Sequence, residues 1–149
     1  MEIKNRKAFF DYDILERYEC GIALKGTEVK SIRNGKVDIR DSYAIIRNYE
    51  LFLLNMYIAP YMQGNIFNHD ERRTRKLLMH KKEILKLRDK VNQERLTLVP
   101  LRIYLRKNLV KVELALAKGR KTYDKRQVLK EREMKQRMEK ELKDFTKTM

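Results

Sequence analysis

The sequence predicts a mainly β protein: a small antiparallel barrel with short helices, followed by a separate C-terminal segment that is disordered or helical. Three observations predict it. Residues 42–59 and 96–117 each read as two strands about a turn, the second stretch alternating apolar and polar side chains. Short segments of helical period interrupt this alternation. At Lys118 the alternation stops, and a proline-free, highly charged run continues to Met149.

Taken in order, Phe9 to Leu24 reads as a first strand, with Phe10, Tyr12 and Ile14 on one face and Asp11 and Asp13 on the other. Gly26-Thr27 interrupts it. Thr27 to Asn34 reads as a short helix with Thr27 as N-cap, Val29 and Ile32 facing inward, and Gly35 near the left-handed C-terminal position. Ser42 to Arg47 and Leu51 to Ala59 form a hairpin about Asn48-Tyr49-Glu50. The run Leu51-Phe52-Leu53-Leu54 is apolar on both faces and belongs at the centre of a sheet. Gln63 to Arg75 lacks periodicity and reads as a loop that ends in the cations Arg72, Arg73, Arg75 and Lys76. Lys81 to Val91 is helical, with Ile84, Leu87 and Val91 on one stripe. Leu96 to Leu105 and Leu109 to Ala117 make a second, longer hairpin about Lys107-Asn108. In it Leu101, Ile103 and Leu105 alternate with Arg102, Tyr104 and Arg106. Five or more antiparallel strands broken by two short helices predict a closed barrel of the oligonucleotide-binding type over residues 1–117, with an open α+β sheet as the alternative.

The charge says what such a barrel meets. The chain has 36 basic and 21 acidic residues, a formal net charge of +15. That field favours a polyanion, nucleic acid before membrane. Residues 118–149 hold 12 of the basic and 6 of the acidic side chains, so the barrel itself is also cationic. Within this tail Met134, Met138, Leu142 and Phe145 form a narrow apolar stripe, and Glu131/Lys135, Glu133/Arg137 and Glu139/Lys143 are spaced for helical ion pairs. A lone helix of this length is marginal in water, so the tail is expected to be disordered alone and helical on a partner.

Other functional classes find no support. The single cysteine, Cys20, forms no internal disulfide and reads as a packed side chain. His69-Asp70-Glu71 and His80 match no zinc spacing, and Ser31 and Ser42 lack a nucleophile context. No catalytic residue, metal or cofactor is expected, and the chain reads as a non-enzyme. It has no apolar run of about 18 residues and no signal-like N-terminus, so a cytoplasmic monomer with no membrane partner is expected. Arg72 to Lys76 reads equally as a solvated loop or an RNA contact. Tyr123, among Arg120, Lys121, Lys125 and Arg126, has the make-up of a base-stacking site, or of an anchor for the tail. Glu19, on the first strand, is placed either to accept hydrogen bonds from base amino groups or to pair with a nearby arginine.

Several strings are more specific. Asn5-Arg6-Lys7-Ala8, Tyr18-Glu19-Cys20-Gly21-Ile22-Ala23-Leu24, Gly26-Thr27-Glu28-Val29-Lys30-Ser31, Asp41-Ser42-Tyr43, Arg75-Lys76-Leu77-Leu78, and Ala117-Lys118-Gly119-Arg120-Lys121 through Asp124-Lys125-Arg126 occur in this order. Together they resemble the SmpB (small protein B) family, the protein partners of transfer-messenger RNA. The resemblance implies an oligonucleotide-binding barrel with a tail unstructured in free solution. It implies binding to the tRNA-like domain of that RNA and delivery to stalled ribosomes for trans-translation, which frees the ribosome and tags the unfinished polypeptide. By the same resemblance Asn5, Arg6, Lys7, Glu19, Leu78, Lys118, Gly119 and Lys121 belong to the face on the tRNA-like domain. Tyr123, Asp124, Lys125 and Arg126 belong near the small-subunit rRNA of the decoding centre. The rest of the tail, with Lys130, Arg132, Lys135 and Arg137, belongs in the empty mRNA path. Tyr123 stands where some members carry His. The alternatives are another barrel-type translation factor or ribosomal protein, and a cationic scaffold with a coiled-coil C-terminal helix.

Overall fold

The expected alternation becomes a closed ring of strands in the computed structural model, which describes residues 1–62, 68–120 and 122–147. The chain divides into two units, Met1–Gly119 and Arg120–Met149. In the first, the elements run β1 (Glu2–Lys4), α1 (Arg6–Asp11), β2 (Tyr12–Ile22), α2 (Gly26–Arg33), β3 (Val37–Asp38), β4 (Tyr43–Arg47), β5 (Glu50–Leu54), β6 (Tyr57–Ile58), β7 (Arg75–Leu78), α3 (Lys81–Glu94), β8 (Thr97–Arg106) and β9 (Leu109–Gly119). The pairings β8-β4-β5-β7-β2-β9 return to β8, so six antiparallel strands close on themselves. Closure pairs both edges of each of these six strands within the ring. β1 joins the outer half of β8, and β3 with β6 makes a separate two-stranded ribbon.

Both long hairpins turn through two left-handed residues, Asn48-Tyr49 (φ 51 and 63) and Lys107-Asn108 (φ 51 and 64). This is the geometry that matches the twist of paired strands. The inward residues of the ring, among them Cys20, Leu51, Leu53, Leu77, Leu98, Ile103, Val112 and Leu114, form the main core with Ile32 of α2 and Ile84 and Leu87 of α3. α3 runs three residues past the expected end at Val91 and stops where Arg95 adopts the left-handed conformation, φ 51.

Four expectations are corrected. Phe9 to Asp11, expected to open the first strand, instead complete a short helix that begins at Arg6. Asn5 causes this. Its Oδ1 accepts the Ala8 N–H at 3.1 Å, while its Nδ2 donates to the carbonyls of Ile39 and Pro100 at 3.1 and 2.9 Å. The helix then lays Ala8 and Phe9 over Val99, Leu101, Ala115 and Ala117, a second core on the outside of the barrel. Thr27 is not the N-cap of α2. The helix begins at Gly26, Lys25 is its N-cap, and the Lys25 N–H donates to Glu28 Oε1 at 2.8 Å. The strand from Leu51 does not reach Ala59: it ends at Leu54, Asn55 turns through φ 65, and Tyr57–Ile58 pairs with Val37–Asp38. Finally, Arg75 is not a loop residue. It opens β7, is fully buried, and its guanidinium meets the equally buried carboxylate of Glu28. Of the loop expected over Gln63 to Arg75, residues 63–67 lie outside the described residues.

The second unit contains α4, Thr122–Lys147. Every residue from Leu129 to Glu141 is exposed, the stripe residues Met134 and Met138 included. Neither Glu131–Lys135 nor Glu133–Arg137 is closed as an ion pair among the described residues, as is common for solvated side chains.

Candidate nucleic-acid interface

β2 is the spine on which most of the expected site residues are arranged, at its two ends. At the first end Tyr12 pairs with Gly119 and Asp13 with Lys118, and α1, with exposed Arg6 and Lys7, leads directly into Tyr12. Lys118 and Gly119 thus lie opposite the start of β2, and Arg6 and Lys7 lie at the far end of the helix that leads into it. Asn5 is a positioning residue. It is buried, its amide is spent on the cap and two carbonyls, and it fixes the helix that presents Arg6 and Lys7. Lys7 donates to Asp41 at 2.7 Å, and that hydrogen bond and the carboxylate charge raise its pKa above the ordinary lysine value.

At the other end, about 20 Å along the strand, Glu19 pairs across to Glu113, and Gly21 lies between Leu78 on β7 and Lys111 on β9. Glu19 is not a free carboxylate. Arg106 donates one nitrogen to both its oxygens at 3.0 Å, and the Tyr104 hydroxyl donates to Oε2. The Tyr104 hydrogen bond, then Arg106, hold the Glu19 carboxyl below the usual carboxylate range. Burial, then Glu19, push the Tyr104 hydroxyl up to about 12. Beside this trio Arg102 stacks over the Tyr104 ring at 4.2 Å and donates to Glu113 at 2.8 Å. Arg17 reaches Glu113 at 3.3 Å and lies 5.5 Å from the Phe9 ring. Sequence reasoning missed Tyr104, Arg106 and Lys111. The polar half of the β8/β9 alternation was the available signal, but it did not indicate that these side chains meet Glu19 from a separate hairpin.

The chemistry differs between the ends. Flexible cations at the first suit phosphates, which position a nucleic acid without reading it. The second presents an oriented carboxylate beside half-exposed Leu78, a pairing suited to a base edge and a base face.

Other expected positions are placed less fully. Lys121 lies outside the described residues, as do the side chains of Tyr123, Asp124 and Lys125. Arg126, Lys130, Arg132, Lys135 and Arg137 are exposed on α4. In the basic run, Arg75 and Arg73 both serve Glu28, Arg73 at 2.5 Å. Arg72 bonds the Asn55 carbonyl at 3.3 Å and covers Tyr57, and Lys76 lies 3.5 Å from Glu50. His69 is buried with Nε2 2.9 Å from the Ile58 carbonyl and Nδ1 2.9 Å from the Thr27 hydroxyl, so both ring nitrogens have partners inside the fold. No group of three metal-ligating side chains occurs among the described residues. No helix there is long and apolar enough to cross a membrane.

The family model described as SmpB protein matches residues 2–144. An SsrA-binding protein of Carboxydothermus hydrogenoformans is 59% identical over 139 residues, 93% of each chain. One of Clostridium tetani is 59% identical over 141 residues, 95% of this chain and 90% of that one. One of Trichodesmium erythraeum is 56% identical over 142 residues, 95% and 91%. A solved structure described as "tmRNA-SmpB: a journey to the center of the bacterial ribosome" contains a chain 56% identical to this one, with a TM-score of 0.68 over 81% of this chain and 85% of that chain.

Proposed function

We propose, from the premise that this chain belongs to the SmpB family, that it binds transfer-messenger RNA and works with it on stalled ribosomes in trans-translation. The observation that carries this is the match over residues 2–144, which spans the barrel and most of the tail together. A ribosomal protein or initiation factor with the same barrel would account for the barrel alone.

The two ends of β2 divide the work on the tRNA-like domain. Arg6, Lys7 and Lys118 hold phosphates, Gly119 lets the chain pass close to the RNA, and Glu19 with Leu78 meets bases. Tyr123, Asp124, Lys125 and Arg126 then act at the decoding centre, and α4 lies in the vacant mRNA path with Lys130, Arg132, Lys135 and Arg137 toward its phosphates. Free in solution the helix has little to pack on, since its residues from 129 to 141 are exposed, and its order comes from the ribosome. The protein acts by binding and bond-making is left to the ribosome, which places it in the cytoplasm, as a monomer.

RNA copurifying with the protein from its native cell tests this. Transfer-messenger RNA is expected as the dominant species, and its absence with ribosomal RNA alone present would favour a ribosomal protein.

A further inference from the structure

Four residues stand side by side across four strands of the barrel's outer surface: Leu78 on β7, Gly21 on β2, Lys111 on β9 and Tyr104 on β8, each opposite the next in register. Gly21 is the gap in this row. A glycine inside a strand weakens it and commonly marks close approach by something else. The backbone does not demand glycine here, because among the described glycines only Gly35 has a left-handed φ. The nearest obstacle to a Cβ at position 21 is Leu78 Cβ, at 3.2 Å. Leu78 Cβ is fixed to the β7 backbone, so a methyl at position 21 would need the paired strands to give by a few tenths of an ångström; packing favours glycine here, and it leaves the space above the row open.

The gap opens into a groove of about 220 Å³ lined by Gly21, Leu24, Val29, Leu78, Leu109 and Lys111. Its walls are mainly apolar, with Asn108 and Lys111 as the polar members, and Leu109 is exposed at 61%. Two residues along β2 from the gap, on the same face, is Glu19. Its carboxylate has about four acceptor positions. Arg106 occupies one on each oxygen and Tyr104 a second on Oε2, which leaves one on Oε1. Lys111 at the rim has no carboxylate within ion-pair distance among the described residues, and supplies the cation for a phosphate.

We propose that the notch over Gly21, between Leu78 and Lys111, takes one unstacked base of the carrier RNA that bears an exocyclic amino group, its face on Leu78 and Leu109 and its amine donating to Glu19. The proposal rests on the RNA-binding function above and adds the subsite, Gly21 and Lys111 as its determinants, and the class of base. Uracil has no exocyclic amine, and its one ring donor, N3–H, lies between two carbonyls that would face the carboxylate, so it is disfavoured. Charge selects RNA over an apolar peptide, because the groove is flanked by Lys111 and Arg106 on a chain of net charge +15.

The test uses the full chain and a transcript of the tRNA-like domain of transfer-messenger RNA. Chemical probing of base-pairing edges is expected to show one unpaired adenine, cytosine or guanine protected by the wild type and reactive again with Gly21→Ala. Affinity is expected to fall about tenfold, the loss typical of one stacked base, with the salt dependence unchanged. Lys111→Met and Leu109→Ser, both on the surface, expose the same nucleotide if Gly21→Ala fails to fold. Unchanged affinity and footprint in these variants, or a protected uracil at the Gly21-dependent position, overturns the proposal. If the wild type does not bind the transcript, the functional reading falls and this one with it.

Discussion

Arg75 and Glu28, 47 residues apart, form an ion pair with both side chains fully buried. Arg75 also donates to the Met56 carbonyl at 2.6 Å and to those of Asp70 and Glu71 at 3.3 and 3.2 Å. One guanidinium thus ties α2, the turn after β5 and the approach to β7 to the barrel wall.

Removing one partner leaves the other charged and unpaired inside the protein. Arg75→Met is expected to cost about 3–5 kcal/mol in urea unfolding, far more than the double variant Arg75→Met with Glu28→Leu, which removes both charges. Equal losses in the single and double variants would show that the pair is incidental.

The same pair sets an acid limit. Burial alone would raise the Glu28 carboxyl, but hydrogen bonds from Arg73, the Lys25 N–H and Arg75 outweigh it and hold the pKa below the usual range. The folded state therefore binds fewer protons here than the unfolded state as the pH falls. This contribution is complete above about pH 5 and is lost as the pH falls through the folded pKa. The stability gap between wild type and Glu28→Gln is expected to be largest near neutrality and to shrink below about pH 4, in unfolding followed across that range. A gap independent of pH would contradict the assignment.

Glu19→Ala adds positive charge to an already cationic chain. If bulk charge governed affinity, the variant would bind RNA more tightly. With Glu19 held by Arg106 and Tyr104 as an oriented acceptor, it is expected to bind the tRNA-like domain about tenfold more weakly, measured by titration at two salt concentrations.

Arg95 ends α3 in a conformation that favours glycine, φ 51. Arg95→Gly is expected to stabilise the fold by about 1 kcal/mol in thermal unfolding, since it removes the Cβ clash at a helix C-terminus.

Cys20 is buried in β2, and desolvation pushes its thiol up to about 12. Alkylation by iodoacetamide at pH 8 is expected to be at least about a hundredfold slower in the native protein than in urea. Equal rates would mean that β2 opens readily, against its pairing with both β7 and β9.

These residues also mark what could be read from the sequence. The hairpins at 43–54 and 97–119 were legible because a period of two and a pair of turn residues are local signals. The first six-residue helix was not: Phe10, Tyr12 and Ile14 carry strand parity, and the helix depends on Asn5 bonding carbonyls 34 and 95 residues away. Arg75 looked like part of a solvated run because nothing local reveals that Glu28 waits for it. The family strings are what single out Glu19, Leu78 and the segment from Lys118 as candidates. Gly21 was quoted among those strings without a role, because its meaning lies in the register that sets it between Leu78 and Lys111.

The division between a barrel that holds the RNA and a tail that acts on the ribosome is tested most directly by ending the chain after Arg126. The measurement is the yield of tagged polypeptide in a reconstituted translation reaction on a message without a stop codon, alongside affinity for the tRNA-like domain. The expected result is affinity within about twofold of the full chain and no tagged product. Normal tagging by the shortened chain would contradict a role for α4 in the mRNA path, and a large loss of affinity would place RNA binding in the tail.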